Sequence, residues 1–115
     1  MGNSDCINRQ VLGRLYKTVG DTVVKRLIRI FLETATVRIE NSFNALKSKD
    51  FETIAMNAHS LISSSGSMGA VNITDLSAKI ELDAMNQNET EILPLLSKLR
   101  SEFDRVKNEL SKEVS

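Results

Sequence analysis

The sequence predicts an all-α protein, an up-down-up-down antiparallel four-helix bundle with a short extra N-terminal helix. Three observations carry this prediction. Apolar residues recur at alternating steps of three and four along most of the chain, which is the spacing of one buried helix face. The 115 residues include no Trp, one Tyr and one Pro, so helix is favoured almost everywhere. The segments are joined by short loops, which make consecutive helices antiparallel.

The first two helices are predicted from periodicity and from the glycine between them. A helix over about residues 7–18 has the apolar side Val11, Leu12, Leu15 and Val19. Gly20-Asp21 supplies a break and an N-cap for a long second helix over about 21–48. Near its start this helix has an additional apolar stripe that consists of Val23, Leu27 and Ile30. We expect the first helix to cover this stripe.

Three further helices follow. Asp50 caps a third helix over about 51–67, which ends near Gly66 and Gly69. A fourth helix over about 71–86 buries Ile73, Leu76, Ile80 and Ala84, and we expect Ser77 on an acidic outer side of the bundle. A fifth over about 91–112 starts with Thr90 as its cap and Pro94 in its first turn.

Composition favours one domain over residues 1–115, and we expect a cytoplasmic monomer. Apolar residues make up 41% and charged residues 26%, and 15 Lys and Arg balance 15 Asp and Glu. Residues 1–49 contain nine basic and four acidic residues, an excess too mild for a nucleic-acid partner. No run approaches the roughly 18–20 apolar residues that span a bilayer. We therefore expect no nucleic-acid or membrane partner.

The inventory of reactive side chains argues against an enzyme. Cys6 is the single cysteine and His59 the single histidine, so no disulfide within the chain and no metal-ligand set is available. His59 with Ser60 or Ser63 is the one possible nucleophile–base pair, but no third orienting group or oxyanion hole is visible. We expect no cofactor, no metal and no independent catalytic machinery.

His59 itself lies one residue past the predicted buried stripe of the third helix, so its ring should reach the surface. Small or apolar residues without charge surround it in the helix, and they form a candidate docking surface: Ala55, Met56, Ile62, Ser63 and Gly66. At neutral pH an imidazole has a ring nitrogen with a free lone pair, and it can accept a phosphoryl group and pass it on. Such a carrier needs an exposed ring, a rigid scaffold and little surrounding bulk.

The segment from His59 to Ala70 resembles the phosphorylation-site signature of histidine-containing phosphotransfer (HPt) domains of two-component phosphorelays. The matching residues are His59, Leu61, Ser64, Ser65, Gly66, Met68, Gly69 and Ala70. The resemblance implies that His59 accepts a phosphoryl group from a receiver-domain aspartate and passes it to another receiver aspartate. It also implies response-regulator receiver domains and a sensor (hybrid) histidine kinase as partners.

Four positions in or near the signature bear on the implied chemistry. The family usually has lysine at Ile62, where its charge acts on the phosphoryl group, and glycine at Ser63, where it leaves room for the partner. Ser63 is small and can donate a hydrogen bond to a phosphate oxygen. Glu81 occupies the place from which family members often orient the other ring nitrogen. Arg38, on the neighbouring helix, is a candidate replacement for the missing lysine charge.

Two alternatives remain open from the sequence. The changes at Ile62 and Ser63 are compatible with a non-phosphorylated helical adaptor that only docks receiver domains. The chain could also be an unrelated helical interaction module in which His59 has no chemical role.

Overall fold

A computed structural model describes residues 6–115, and within them the secondary structure is helical. The helices, in chain order, are α1 (Arg9–Val19), α2 (Asp21–Lys47), α3 (Phe51–Met68), α4 (Val71–Met85) and α5 (Glu89–Val114). The all-α prediction is confirmed. None of these helices is long and apolar enough to cross a membrane.

The packing of the helices places α3 diagonally opposite α5. Consecutive helices α2, α3, α4 and α5 pack against one another, and α2 also packs against α5, whereas the backbones of α3 and α5 do not approach each other. The short α1 contacts α2 and α3. The buried apolar residues of all five helices form one core. As a result, α3 has one face in the core and one face open to solvent, between α2 and α4.

The start of α5 differs from the prediction. The helix begins at Glu89, and the cap position is Asn88, which makes no side-chain capping bond. Thr90 as the cap is therefore wrong, and Pro94 lies inside the helix beyond its first turn. Glu89 and Glu91 lie in the first turn, where carboxylates interact favourably with the partial positive charge of a helix N-terminus.

The buried face of α4 also differs from the prediction. Ser77 is fully buried, and its hydroxyl has no hydrogen-bond partner in the described part of the chain. Leu76, which was expected in the core, is only partly buried. The buried stripe consists of Ile73, Ser77, Ile80 and Ala84, which repeat at steps of four, three and four. Ser77 fits this period as well as Leu76 does, and apolarity alone selected the wrong residue.

α1 is fixed by polar contacts at both of its ends. The backbone N–H of Asn8 donates to the carbonyl of Gly69 at 2.7 Å, at the turn between α3 and α4. Gly69 has φ 78°, and a Cβ there would lie 2.7 Å from the Asn8 carbonyl oxygen, so this position requires glycine. At the other end, the Tyr16 hydroxyl donates to Glu113 of α5 at 2.7 Å.

The expected cover over the second stripe of α2 is incomplete. Leu27 is partly buried, but Val23 and Ile30 remain 39% and 49% exposed. The prediction that α1 covers this stripe is therefore wrong for these two residues. α1 is fixed instead by contacts to the α3–α4 turn and to α5.

Candidate functional site

The helix that carries His59 is capped at both ends by residues next to it in the sequence. The Asp50 carboxylate accepts hydrogen bonds from the backbone N–H and the hydroxyl of Thr53, at 3.2 and 2.6 Å. These bonds lower the pKa of Asp50, as expected for a carboxylate that caps a helix. At the C-terminal end, Gly69 adopts a left-handed conformation and its N–H donates to the Gly66 carbonyl. The ring of His59 therefore projects from a helix with fixed ends.

His59 lies outside the buried face of α3. That face consists of Ile54, Ala58, Leu61, Ser65 and Met68. One residue further along a helix is a rotation of about 100°, and the His59 side chain is accordingly 75% exposed. The imidazole contributes little to the core and is accessible to a large partner.

Glu81 of α4 is the hydrogen-bond partner of the His59 ring. Its Oε2 lies 3.0 Å from Nδ1, and its side chain is 26% exposed. A carboxylate can only accept, so this contact selects the tautomer with the proton on Nδ1. Nε2 then carries the lone pair, and no described residue hydrogen-bonds to it. The arrangement leaves Nε2 as the nucleophilic nitrogen, on the side of the ring opposite to the contact with Glu81.

The serines after His59 fall into two groups. The hydroxyls of Ser64 and Ser67 donate to backbone carbonyls one turn earlier, and Ser65 pairs with Thr74 at 2.7 Å. Ser63, one turn after His59 on the same side of the helix, is exposed, and its hydroxyl makes no hydrogen bond among the described residues. The Ser63 hydroxyl is therefore available to a ligand, and the structure contains no bond between it and the imidazole.

The residues proposed from the sequence as a docking surface differ in accessibility. Met56 is 65% exposed, and Gly66 is exposed with open space where a Cβ would be. Ala55 and Ile62 are partly buried. Met56, Gly66 and the exposed Ser63 therefore offer the accessible part of this surface, and Ala55 and Ile62 contribute only their outer atoms.

No basic side chain of the described residues contacts the His59 ring. Within the described residues, the ionisable group in contact with the ring is the Glu81 carboxylate. Arg38 lines a groove of about 440 Å³ between α2 and α3, together with Asn57, and no hydrogen bond or ion pair connects it to His59. A buried amide nitrogen of Asn57, which the sequence did not single out, has no partner among the described groups.

Other reactive groups lie apart from this site. Cys6 is buried, and burial, with a smaller contribution from the nearby Glu102 carboxylate, raises the pKa of its thiol. A raised pKa leaves less thiolate, so the Cys6 thiol is less reactive than an exposed one. The described residues include no cluster of three or more His, Cys, Asp or Glu side chains that could hold a metal ion.

Comparisons with known proteins agree with the fold. Histidine-containing phosphotransfer protein B (HptB) from Pseudomonas aeruginosa PAO1 has the same fold, with a TM-score of 0.92, 22% identity, and coverage of 97% of this chain and 96% of that one. No curated protein matches the sequence. The family model described as the Hpt domain matches residues 26–109, which include α3, α4 and His59. The chain therefore belongs to the Hpt domain family, whose members carry phosphoryl groups on a histidine in phosphorelays.

Proposed function

We propose that the chain is a phosphorelay intermediate that accepts a phosphoryl group on Nε2 of His59 from one receiver-domain aspartate and passes it to another. The observation that supports this proposal best is the hydrogen bond of Nδ1 to Glu81, which leaves Nε2 of a largely exposed ring unpaired. A neutral imidazole with this tautomer is a competent nucleophile at neutral pH.

The transfer step follows from that geometry. The Nε2 lone pair attacks the phosphorus of an aspartyl phosphate, the N–P bond forms, and the bond from phosphorus to the aspartyl oxygen breaks to release the carboxylate. The ring gains positive charge while its proton stays on Nδ1, 3.0 Å from the Glu81 carboxylate. Glu81 stabilises that charge and holds the ring in position. In the onward step a second aspartate attacks the phosphorus, and Nε2 leaves with its lone pair.

The chain acts as a carrier in this scheme. The receiver domains supply the metal ion and the carboxylates that catalyse transfer, and His59 supplies the resting place. Ser63 is positioned to donate a hydrogen bond to a phosphoryl oxygen, because its hydroxyl is exposed and unengaged. With Ile62 at the position of the family's lysine, the phosphoryl group has less positive charge around it, which favours its departure.

Docking is proposed to occur over the accessible side of α3. Met56 and Gly66 provide an apolar contact and an open approach, while the outer atoms of Ala55 and Ile62 widen the surface. The proposed partners are response-regulator receiver domains and a sensor (hybrid) histidine kinase. The proposed architecture is an up-down-up-down four-helix bundle. The proposed active form is a cytoplasmic monomer, since one exposed histidine is sufficient for each transfer.

The proposal is tested with receiver domains that carry a labelled aspartyl phosphate. The label should move to the chain as an acid-labile, alkali-stable phosphate, and His59→Gln should abolish this transfer. Because an exposed ring contributes little to packing, the free energy of unfolding should change by no more than about 0.5 kcal/mol. Receivers that bind the chain without labelling it would support the adaptor alternative instead. A large loss of stability in His59→Gln would indicate a structural histidine.

A further inference from the structure

The outer face of α2 carries a regular stripe of exposed residues that the fold leaves uncovered. Three large apolar side chains recur at every seventh residue, and Val23, Ile30 and Val37 are 39%, 49% and 56% exposed. Arg26 and Glu33 lie between them on the same side of the helix, both exposed. We call these five residues the α2 stripe. None of the ion pairs within the described residues involves Arg26 or Glu33.

The α2 stripe is complementary to the α2 stripe of a second copy that runs in the opposite direction. If two copies of α2 pack antiparallel about Ile30, the two Ile30 side chains meet at the centre and Val23 of each copy faces Val37 of the other. Arg26 of one copy then lies beside Glu33 of the other, once on each side of the centre. A twofold axis brings each residue to its counterpart in this way in an isologous interface. A parallel pairing would instead bring Arg26 against Arg26 and Glu33 against Glu33.

We propose that the α2 stripe is the contact surface of an antiparallel homodimer. The occupant is a second copy of this chain, because its stripe supplies both the apolar partners and the opposite charges that the first copy lacks. The inference rests on the proposed function in one respect only, the consequence of dimerisation for His59. Glu33 and Val37 line the groove between α2 and α3 with Asn57, two residues before His59. A second copy on the stripe therefore covers the α2 side of the surface around the histidine.

The dimer is weak and competes with docking. Three partly exposed apolar residues on each copy, over a helix segment of about 20 Å, make a contact smaller than the roughly 1,200 Å² of stable complexes. A dissociation constant on the order of 0.1 mM suits such a contact. The chain is then monomeric and available to receivers when dilute, as expected from the sequence, and becomes occluded when it is locally concentrated.

Sedimentation equilibrium of the chain alone, at concentrations from about 10 µM to 1 mM, tests the proposal without any receiver or phosphoryl group. The wild-type chain should show concentration-dependent dimerisation. Arg26→Glu and Glu33→Arg should each weaken it about five- to tenfold, because two exposed attractive pairs become repulsive. The double variant with both changes should restore it. Arg26 and Glu33 are seven residues apart and do not face each other within one helix, so this rescue requires two chains.

Lys47→Glu is the matched control, because Lys47 is exposed on α2 and lies ten residues beyond Val37, the last residue of the stripe. It changes net charge as Arg26→Glu does and should leave dimerisation unchanged. A chain that stays monomeric at 1 mM overturns the proposal, as does equal weakening by Lys47→Glu or failure of the double variant to restore association. If the stripe variants slow phosphotransfer while the wild type stays monomeric, the stripe is a receiver surface and the homodimer is wrong. Loss of phosphotransfer from His59 concerns the proposed function and leaves this result untouched.

Discussion

Two regions of the molecule use charged side chains in opposite ways. Where α1 meets the end of α5, Arg9 contacts Glu109 and Glu113, and Tyr16 donates a second hydrogen bond to Glu113. At the candidate site, His59 has a single partner, Glu81. The first arrangement joins four side chains by three hydrogen bonds and fixes a helix. The second leaves a nucleophilic atom unpaired, so it gains little stability and retains reactivity.

The contacts between α1 and α5 shift the pKa values of the groups that make them. The hydrogen bond from Tyr16, and then that from Arg9, lowers the pKa of Glu113, and the bond from Arg9 lowers that of Glu109. Burial, together with the bond to Glu113, raises the pKa of Tyr16 to about 12. A carboxyl group with a lowered pKa in the folded state stabilises the fold above its unfolded value and loses this effect as pH falls. A phenol with a raised pKa loses its contribution as pH rises above about 10.

The largest effect on activity among the neighbours of His59 should come from docking. Met56→Asp should reduce transfer at low receiver concentration tenfold or more, because burial of a large apolar side chain stabilises an interface by about 1.5–3 kcal/mol. A high receiver concentration should restore much of the rate. Leu93→Asp is the control, since Leu93 is 51% exposed on α5, whose backbone does not approach that of α3. Equal losses in both variants would show that no localised docking surface surrounds His59.

Loss of the Glu81 carboxylate should affect activity and leave stability nearly unchanged. Glu81→Ala should slow transfer about tenfold, since the ring loses its orienting acceptor, while the free energy of unfolding stays nearly constant. Glu81→Gln keeps an oxygen acceptor and should retain more activity than Glu81→Ala. Glu52→Ala, an exposed change on α3, should transfer at the wild-type rate. Wild-type rates in Glu81→Ala would contradict the role assigned to the contact.

Loss of the Glu113 carboxylate, which joins α5 to α1, should affect stability and leave activity unchanged. Glu113→Gln should lower the free energy of unfolding by about 1 kcal/mol at pH 7, because it weakens the bonds to Tyr16 and Arg9, and leave transfer unchanged. The difference from the wild type should shrink as pH falls below about 4, where the carboxyl group becomes protonated. Chemical denaturation over this pH range measures it. Glu40→Gln, which removes an exposed pair with Arg100, should lower the free energy of unfolding by less than Glu113→Gln does. An equal decrease in both variants would contradict the stabilising role of Glu113.

The ends of a helix could be predicted from the sequence more accurately than the packing of its sides. The limits of α3 follow from Asp50 and Gly69, whose effects are local, and the observed helix Phe51–Met68 matches the prediction to within a residue. The burial of Ser77 and the exposure of Val23 and Ile30 depend on how helices pack, and periodicity alone does not determine that. The Arg9 and Tyr16 contacts join residues about a hundred positions apart, so no local pattern indicates them.

The candidate site divides in the same way. The exposure of His59 follows from its offset from the buried stripe of its own helix, which is a local property. Its proximity to Glu81 requires the packing of α4 against α3, and only the family resemblance suggested it. The partial burial of Ala55 and Ile62 also comes from neighbouring helices. The exposure of His59 could thus be predicted from its own helix, whereas the contacts between helices could not.

The smallest expected effect concerns the missing lysine. Ile62→Lys should lengthen the lifetime of the phosphohistidine, or shift the transfer equilibrium toward the chain, by several-fold, since an exposed charge contact is worth on the order of 1 kcal/mol at most. Val71→Lys adds the same charge to α4 and should change neither quantity. An unchanged lifetime in Ile62→Lys would mean that charge at this position does not act on the phosphoryl group.

The central claim is that the contact with Glu81 reserves Nδ1 for a proton and Nε2 for phosphorus. Nitrogen-15 NMR of the ring, before and after phosphorylation by a receiver domain, tests it directly. We expect a proton on Nδ1 in both states and coupling to phosphorus on Nε2 in the second. Phosphorus on Nδ1, or phosphate on a residue other than His59, would contradict it.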